Sequence, residues 1–157
     1  LREAGGVGVD CSEGALAIAR RNAEALGLAP QAEWRLADWH APGWADGLGG
    51  PFDLILANPP YVEADAALDP SVRDHEPAGA LFAGPEGLDD YRVLVPQLPG
   101  LLAPGGVALV EIGHLQAEAV GAIAAAAGLE WSLHRDLAGR ARALELKIPL
   151  GKAGPLA

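Results

Sequence analysis

Methionine is absent from this 157-residue sequence, and cysteine occurs once, at Cys11. A full-length gene product normally begins with Met, so a chain opening on Leu1, in what reads as the tail of a helix, is expected to be a fragment. One cysteine excludes an intramolecular disulfide and favours a reducing compartment. That cysteine and four scattered histidines lack the ligand spacing of a zinc site, so no metal is expected. No uninterrupted apolar stretch approaches the ~20 residues of a membrane span, and no basic segment leads into an apolar one as in a secretion signal. The expectation is a soluble, cytoplasmic chain without a membrane partner. Basic residues are scarce too: 11 Lys and Arg against 21 Asp and Glu give a net charge of −10. Phosphate backbones are bound through Lys and Arg, so direct nucleic acid binding is not expected; a protein with a basic surface suits this chain better.

What is present alternates between two periods. Val7-Gly8-Val9-Asp10 is a short strand ending in an acid. Ser12 caps a helix whose apolar residues run from Ala15 to Leu26 at helical spacing, before Gly27 stops it. Ala32 to Leu36 alternates as a half-exposed strand, and Gly43 to Pro51 is a glycine-rich loop. Phe52 to Ala57 is an apolar run predicted to be a buried strand. A long polar loop with short helical turns covers Glu63 to Asp90. Tyr91 to Leu102 is helical in spacing, but Pro96 and Pro99 should kink or shorten it. Pro104-Gly105-Gly106 turns into a second buried strand, Val107 to Ile112. Gln116 to Ala127 is helical, and Trp131 to Arg135 and Ala143 to Ile148 are strands joined by a short connector. This alternation predicts an α/β fold with a mainly parallel sheet, helices on both faces and a terminal antiparallel hairpin. Residues 1–150 are expected to form one domain, with 151–157 as a tail.

The most informative segment is Asn58-Pro59-Pro60-Tyr61, directly after the run Phe52 to Ala57. Two prolines fix their own φ and lack N–H donors, so the Asn58 amide and the neighbouring carbonyls become rigidly aimed polar groups. Such a turn can hold a planar –NH2 group: the Asn58 side-chain oxygen and the Pro59 carbonyl each accept one of its hydrogens, and Tyr61 supplies an aromatic wall. The competing reading is an ordinary strand-ending turn, since Asn-Pro commonly starts one.

Asp10 stands at the carboxyl end of its strand, where open α/β sheets bind ligands. A carboxylate there can accept hydrogen bonds from both hydroxyls of a ribose; the alternative is an acid favoured by a helix start. Asp38-Trp39 follows the strand ending at Leu36. An acid there can meet an adenine amino group and the indole can lie on the adenine face, or Trp39 is plain packing.

Taken in order, Asp10, Asp38-Trp39, Asn58-Pro59-Pro60-Tyr61, His75-Glu76-Pro77 with Ala80-Leu81, Gly87-Leu88, Pro104-Gly105-Gly106, Glu111-Ile112-Gly113 and Asp136-Leu137-Ala138-Gly139-Arg140 resemble the catalytic domain of HemK/PrmC-type release factor glutamine methyltransferases. The resemblance covers nearly the whole chain. It implies a class I, Rossmann-like methyltransferase domain in which Asp10 holds the ribose of S-adenosylmethionine and Trp39 lies by its adenine. It implies that Asn58, Pro59, Pro60 and Tyr61 grip a glutamine side-chain amide beside the cofactor, with Glu76 on the substrate-side loop. The implied substrate is the glutamine of the Gly-Gly-Gln motif of peptide chain release factors, methylated on its N5 nitrogen. The family's first strand and glycine-rich cofactor loop should precede residue 1 and are missing from this chain, as is its N-terminal helical domain. Ala141 also stands where the family often has an acid.

An amide nitrogen is a poor nucleophile because its lone pair is delocalised into the carbonyl. Positioning and preorganised acceptors therefore matter more than a strong base, and His40, His75, His114 and His134 are not expected to be catalytic. Glu111 is expected to be structural. Three alternatives stand beside this reading: a ribosomal-protein glutamine methyltransferase, an amino-methylating nucleic-acid enzyme working on a flipped base, and a non-catalytic truncated remnant.

Overall fold

Valines alternating with glycines ahead of an acid make Gly6–Asp10 the first strand, β1, which pairs in parallel with β2, Ala32–Leu36. The computed structural model describes residues 4–66, 77–149 and 151, and the chain divides into two units, Leu1–Gly49 and Gly50–Ala157. In the first unit β1 and β2 are linked through helix α1, Glu13–Ala25. Ser12 starts that helix: its backbone is extended and its hydroxyl accepts the Ala15 N–H at 3.3 Å, satisfying one donor the helix itself cannot. Leu16 and Ala23 are buried, whereas Ile18 is 52% exposed, so the apolar stripe of α1 is narrower than its sequence suggests. Gly8 lies opposite Trp34 in the β1–β2 register. A Cβ on Gly8 would overlap the Trp34 ring, which is why the strand tolerates glycine there.

The second unit holds a four-stranded sheet in the order β3-β4-β6-β5, where β3 is Phe52–Ala57, β4 Leu102–Glu111, β5 Glu130–Arg135 and β6 Ala141–Lys147. β3 and β4 run parallel; β6 is antiparallel to both β4 and β5. The β5–β6 hairpin is the terminal antiparallel pair predicted from sequence. The helices are α2, Asp89–Leu94, α3, Leu98–Leu101, and α4, Ala117–Ala126. A 3-10 turn, Val95–Gln97, separates α2 from α3. Pro96 and Pro99 both fall in the first turn of their short helical pieces, where a missing N–H removes no helical bond.

Register explains the core. Ile55, Ala108, Leu146 and Trp131 form one row across the sheet, and Ala57, Val110, Leu144 and Leu133 the next. Ala108, Val110, Leu144 and Leu146 are completely buried, as are Tyr91, Val95, Leu98 and Val120 from the helical segments. Burial of each leucine of this kind contributes about 1.5–3 kcal/mol.

Two sequence expectations are corrected. Phe52 to Ala57 is a strand but not a buried one: Leu54 and Leu56 are 49% and 70% exposed. They occupy the sheet face opposite the rows just named, because side chains alternate, and among the described residues β3 is hydrogen-bonded on one side only, to β4. β4 also starts earlier than Val107. Leu102 pairs with Phe52 before the register slips, and Val107 resumes it opposite Leu54; the Pro104-Gly105-Gly106 turn is an excursion inside the strand. No helix among the described residues is long and apolar enough to cross a membrane.

Candidate active site

Each unit, taken by itself, carries a polar edge. In the first, Asp10 pairs with Leu36 and the Ala37 N–H donates to the Asp10 carbonyl at 3.1 Å. β1 and β2 therefore end together, and Asp10, Asp38 and Trp39 leave from the same edge. The Asp10 carboxylate accepts the Ser12 N–H at 2.8 Å through Oδ1. A carboxylate has about four acceptor positions, so the group keeps capacity for a ribose hydroxyl. Asp38 is more occupied than its sequence suggests. Its Oδ1 accepts the His40 backbone N–H at 2.9 Å and lies 2.9 Å from His40 Nδ1. The backbone bond first, then the ring, holds the Asp38 carboxyl below its ordinary range. The Trp39 and His40 rings are tilted by 40° with centroids 6.4 Å apart. An acid and a half-buried indole at the ends of adjacent parallel strands fit the hydroxyls and base of a nucleoside.

In the second unit Asn58-Pro59-Pro60-Tyr61 follows the last residue of β3. Pro59 is fully buried, Pro60 and Tyr61 are half-buried, and Asn58 is exposed. Asn58 lines an open concavity of about 330 Å³ with Leu56, Ala57, Leu109, Glu111 and Ala143. Past the turn, the Val62 N–H donates to the Leu81 carbonyl at 2.8 Å and the Ala83 N–H to the Val62 carbonyl at 2.9 Å. The Ala80-Leu81 segment thus lies against the Asn-Pro-Pro-Tyr turn. Glu76, like His75, lies outside the described residues.

The sequence reading missed what holds this turn in place. The Tyr61 hydroxyl donates to Glu111 Oε1 at 3.3 Å, and Arg142 stands 3.1 Å from the same oxygen. The Tyr91 hydroxyl donates to the Glu111 carbonyl at 2.8 Å. Burial, with the neighbouring Tyr61, Glu111 and Asp90 groups adding to it, pushes that phenol well above its ordinary value, so it stays a neutral donor. The Gln116 side chain donates to the Tyr61 carbonyl at 3.0 Å and the Gly87 carbonyl at 3.1 Å, and accepts the Gly113 N–H at 2.9 Å. The one available signal was Gln116 itself, a residue with poor capping ability at a helix start. His134 lies 3.0 Å from Glu145 on the hairpin.

Parallel strands carrying acids at their carboxyl ends, a proline-locked polar turn after a third strand and a terminal antiparallel hairpin define a class I methyltransferase fold. The chain is similar to the ribosomal protein L11 methylase of Lactobacillus delbrueckii subsp. bulgaricus (TM-score 0.60, 21% identity, 92% of this chain and 57% of that one). It is also similar to an O-methyltransferase family protein from Burkholderia thailandensis (TM-score 0.63, 16% identity, 94% and 45%). At those identities the likeness is one of fold. No family model matches the chain. In sequence it is 45% identical over 154 residues to the release factor glutamine methyltransferase of Rhodospirillum rubrum, covering 96% of this chain and 45% of that protein. With the protein of the same name from Cereibacter sphaeroides it shares 46% over 147 residues, 92% of this chain and 51% of that one. Over most of its length the chain is similar to release factor glutamine methyltransferases, and it spans about half the length of the curated relatives it matches.

Proposed function

We propose that the full-length protein transfers one methyl group from S-adenosylmethionine to the N5 amide nitrogen of the glutamine in the Gly-Gly-Gln motif of a peptide chain release factor, in the cytoplasm. Residues 1–150 serve as part of its catalytic domain. The observation that carries this reading is the Asn58 to Tyr61 turn at the end of β3, fixed by two prolines and opening onto a concavity. The 45% identity to a protein of that name supports it.

S-adenosylmethionine supplies a methyl group on a positively charged sulfur, which departs with the bonding electrons as a neutral thioether. Asp10 is assigned to the ribose hydroxyls, Asp38 and Trp39 to the adenine edge and face, and Asn58 to the side of the transferred group. The Asn58 side-chain oxygen and the Pro59 carbonyl accept the two amide hydrogens of the substrate glutamine and orient its nitrogen in line for attack. Tyr61 forms the wall of that slot. Positioning of this kind contributes up to roughly 7–11 kcal/mol. As the N–C bond forms the remaining N–H groups become more acidic, and the same two acceptors stabilise them. After the bond has formed one amide proton passes to water, so no strong base is needed at the start.

Incubating the full-length protein with labelled S-adenosylmethionine and a release factor, beside its Gly-Gly-Gln Gln→Ala version, tests this. Label on the first protein and not the second is the expected result. Equal labelling of both, or transfer to a ribosomal protein or DNA instead, overturns it.

A further inference from the structure

We infer that Gln116 is a positioning residue for the substrate slot, fixing the Asn-Pro-Pro-Tyr turn from behind through the Tyr61 carbonyl. Gln116 occupies the N-cap position of α4, yet its side chain makes no cap bond to that helix. It spans three separate segments instead. Nε2 donates to the Tyr61 carbonyl at 3.0 Å and to the Gly87 carbonyl at 3.1 Å, while Oε1 accepts the Gly113 N–H at 2.9 Å. Both amide hydrogens and the oxygen are thereby engaged. The opposite amide orientation would face oxygen against two carbonyls, so the network sets the group's direction.

The three segments differ in origin. Tyr61 ends the turn after β3, Gly87 precedes α2, and Gly113 follows β4. Besides Gln116 and the Tyr61 hydroxyl bond to Glu111, the strand-like pairing of Val62 with Leu81 and Ala83 and the bond from the Ala64 N–H to the Gly84 carbonyl at 2.9 Å anchor the outgoing side of the turn. The incoming side is anchored by β3. Between the two, the Tyr61 carbonyl is the backbone point where the turn is tied to β4's end and α4's start. Misplacing a reacting group by about 1 Å can cost roughly 10²-fold in rate, so a single amide linking three loops bears directly on the slot's geometry. Gly87 matches this close approach: its φ is +65°, and a Cβ there would overlap the Tyr61 carbonyl oxygen and sit 2.8 Å from Gln116 Nε2.

The consequence for methyl transfer rests on the function proposed above; the consequence for loop order does not. Gln116→Glu keeps the size and removes both donors, setting a carboxylate against two carbonyls. Gln116→Met fills the same space without a charge and guards against a variant that fails only through repulsion. Amide hydrogen exchange on the full-length protein should speed up about tenfold at residues 61–64 and 84–88 in both variants, the loss expected of roughly one net hydrogen bond. Exchange in β4 and β6 should stay unchanged. With glutamine substrate, kcat should fall about 10–100-fold while the Kd for S-adenosylmethionine holds. Unchanged local exchange overturns the inference, as does faster local exchange with normal kcat, or a uniform loss of protection that marks a general structural role. If the unaltered protein transfers no methyl to glutamine, local exchange still decides the positioning claim, and it is the proposed function that fails.

Discussion

Tyr61 and Glu111, fifty residues apart in sequence, meet through a hydrogen bond from the Tyr61 hydroxyl to Glu111 Oε1 at 3.3 Å. Arg142 shares that carboxylate oxygen at 3.1 Å, so the end of β4 and the start of β6 both bear on the Tyr61 ring. At 3.3 Å the bond is long for O–H to O, where about 2.7–2.8 Å is usual. It sits at the weak end of the range for net contributions. Tyr61→Phe should therefore cost less than about 1 kcal/mol of stability. It should lower methyl transfer by no more than about tenfold, since the aromatic wall remains. Tyr61→Ala removes the wall and should cost at least ten times more activity than Tyr61→Phe. Equal rates for the two variants, measured with saturating cofactor, would show that the ring does not line the slot.

Asn58 and Asp10 should fail in opposite ways. Asn58 is assigned to the substrate amide, and loss of one preorganised contact of that type costs about 10²–10³ in kcat. Asn58→Ala should show that loss with S-adenosylmethionine affinity nearly intact. The Asp10 carboxylate accepts the Ser12 N–H, and its remaining acceptor capacity is assigned to the ribose. Asp10→Ala should weaken cofactor binding by about tenfold or more, as expected for a charge-assisted bond. Calorimetry for binding and steady-state kinetics for turnover separate the two, and a swapped pattern refutes the assignment.

Strands and helix α1 were readable because local chemistry and burial agree: Ser12 caps, Ala32 to Leu36 alternates, and Leu144 and Leu146 face one core. The end of β3 just before Asn58-Pro59-Pro60-Tyr61 was readable because proline limits conformation regardless of tertiary setting. Leu54 and Leu56 misled, since apolarity does not reveal which face of a strand is covered. His40 on Asp38, Glu111 on Tyr61 and Gln116 on Tyr61 were hidden for different reasons. The first is a local loop closure that any Asp-x-His could make. The other two join positions 50 and 55 residues apart, a separation no spacing rule addresses.

Gly87 should be intolerant of any side chain. Its positive φ of +65° costs a non-glycine residue about 1–2 kcal/mol, and the overlap with the Tyr61 carbonyl adds to that. Gly87→Ala should lose about 2 kcal/mol or more by urea denaturation. Gly128, with a similar φ of +79° but nothing within 4 Å of an added Cβ, is the control. Gly128→Ala should show the conformational cost alone. Equal losses at the two sites would mean that the loop around Gly87 relaxes freely and does not bear on Tyr61.

The β5–β6 turn should be sensitive to acid through Asp136. Its Oδ1 accepts the backbone N–H groups of Ala138 and Arg140, each at 2.9 Å, and its carbonyl accepts the Gly139 N–H at 2.9 Å. The Arg140 N–H above all, then the Ala138 N–H and the nearby Arg140 and Arg142 charges, hold the Asp136 carboxyl below its ordinary value of 3.8. The folded state thus binds this proton less readily than the unfolded chain. The turn's contribution is full at neutral pH. It begins to fall as pH drops through the unfolded value, about 4, and is lost below the lower folded value. Following the Ala138 and Arg140 amide signals by NMR from pH 7 to pH 2 should show both moving together, with a midpoint below 3.8. Asp136→Asn keeps an acceptor oxygen but cannot titrate, so its amide signals should stay flat over that range. A midpoint above 3.8 in the native chain, or the same acid transition in Asp136→Asn, would place the titration on another group.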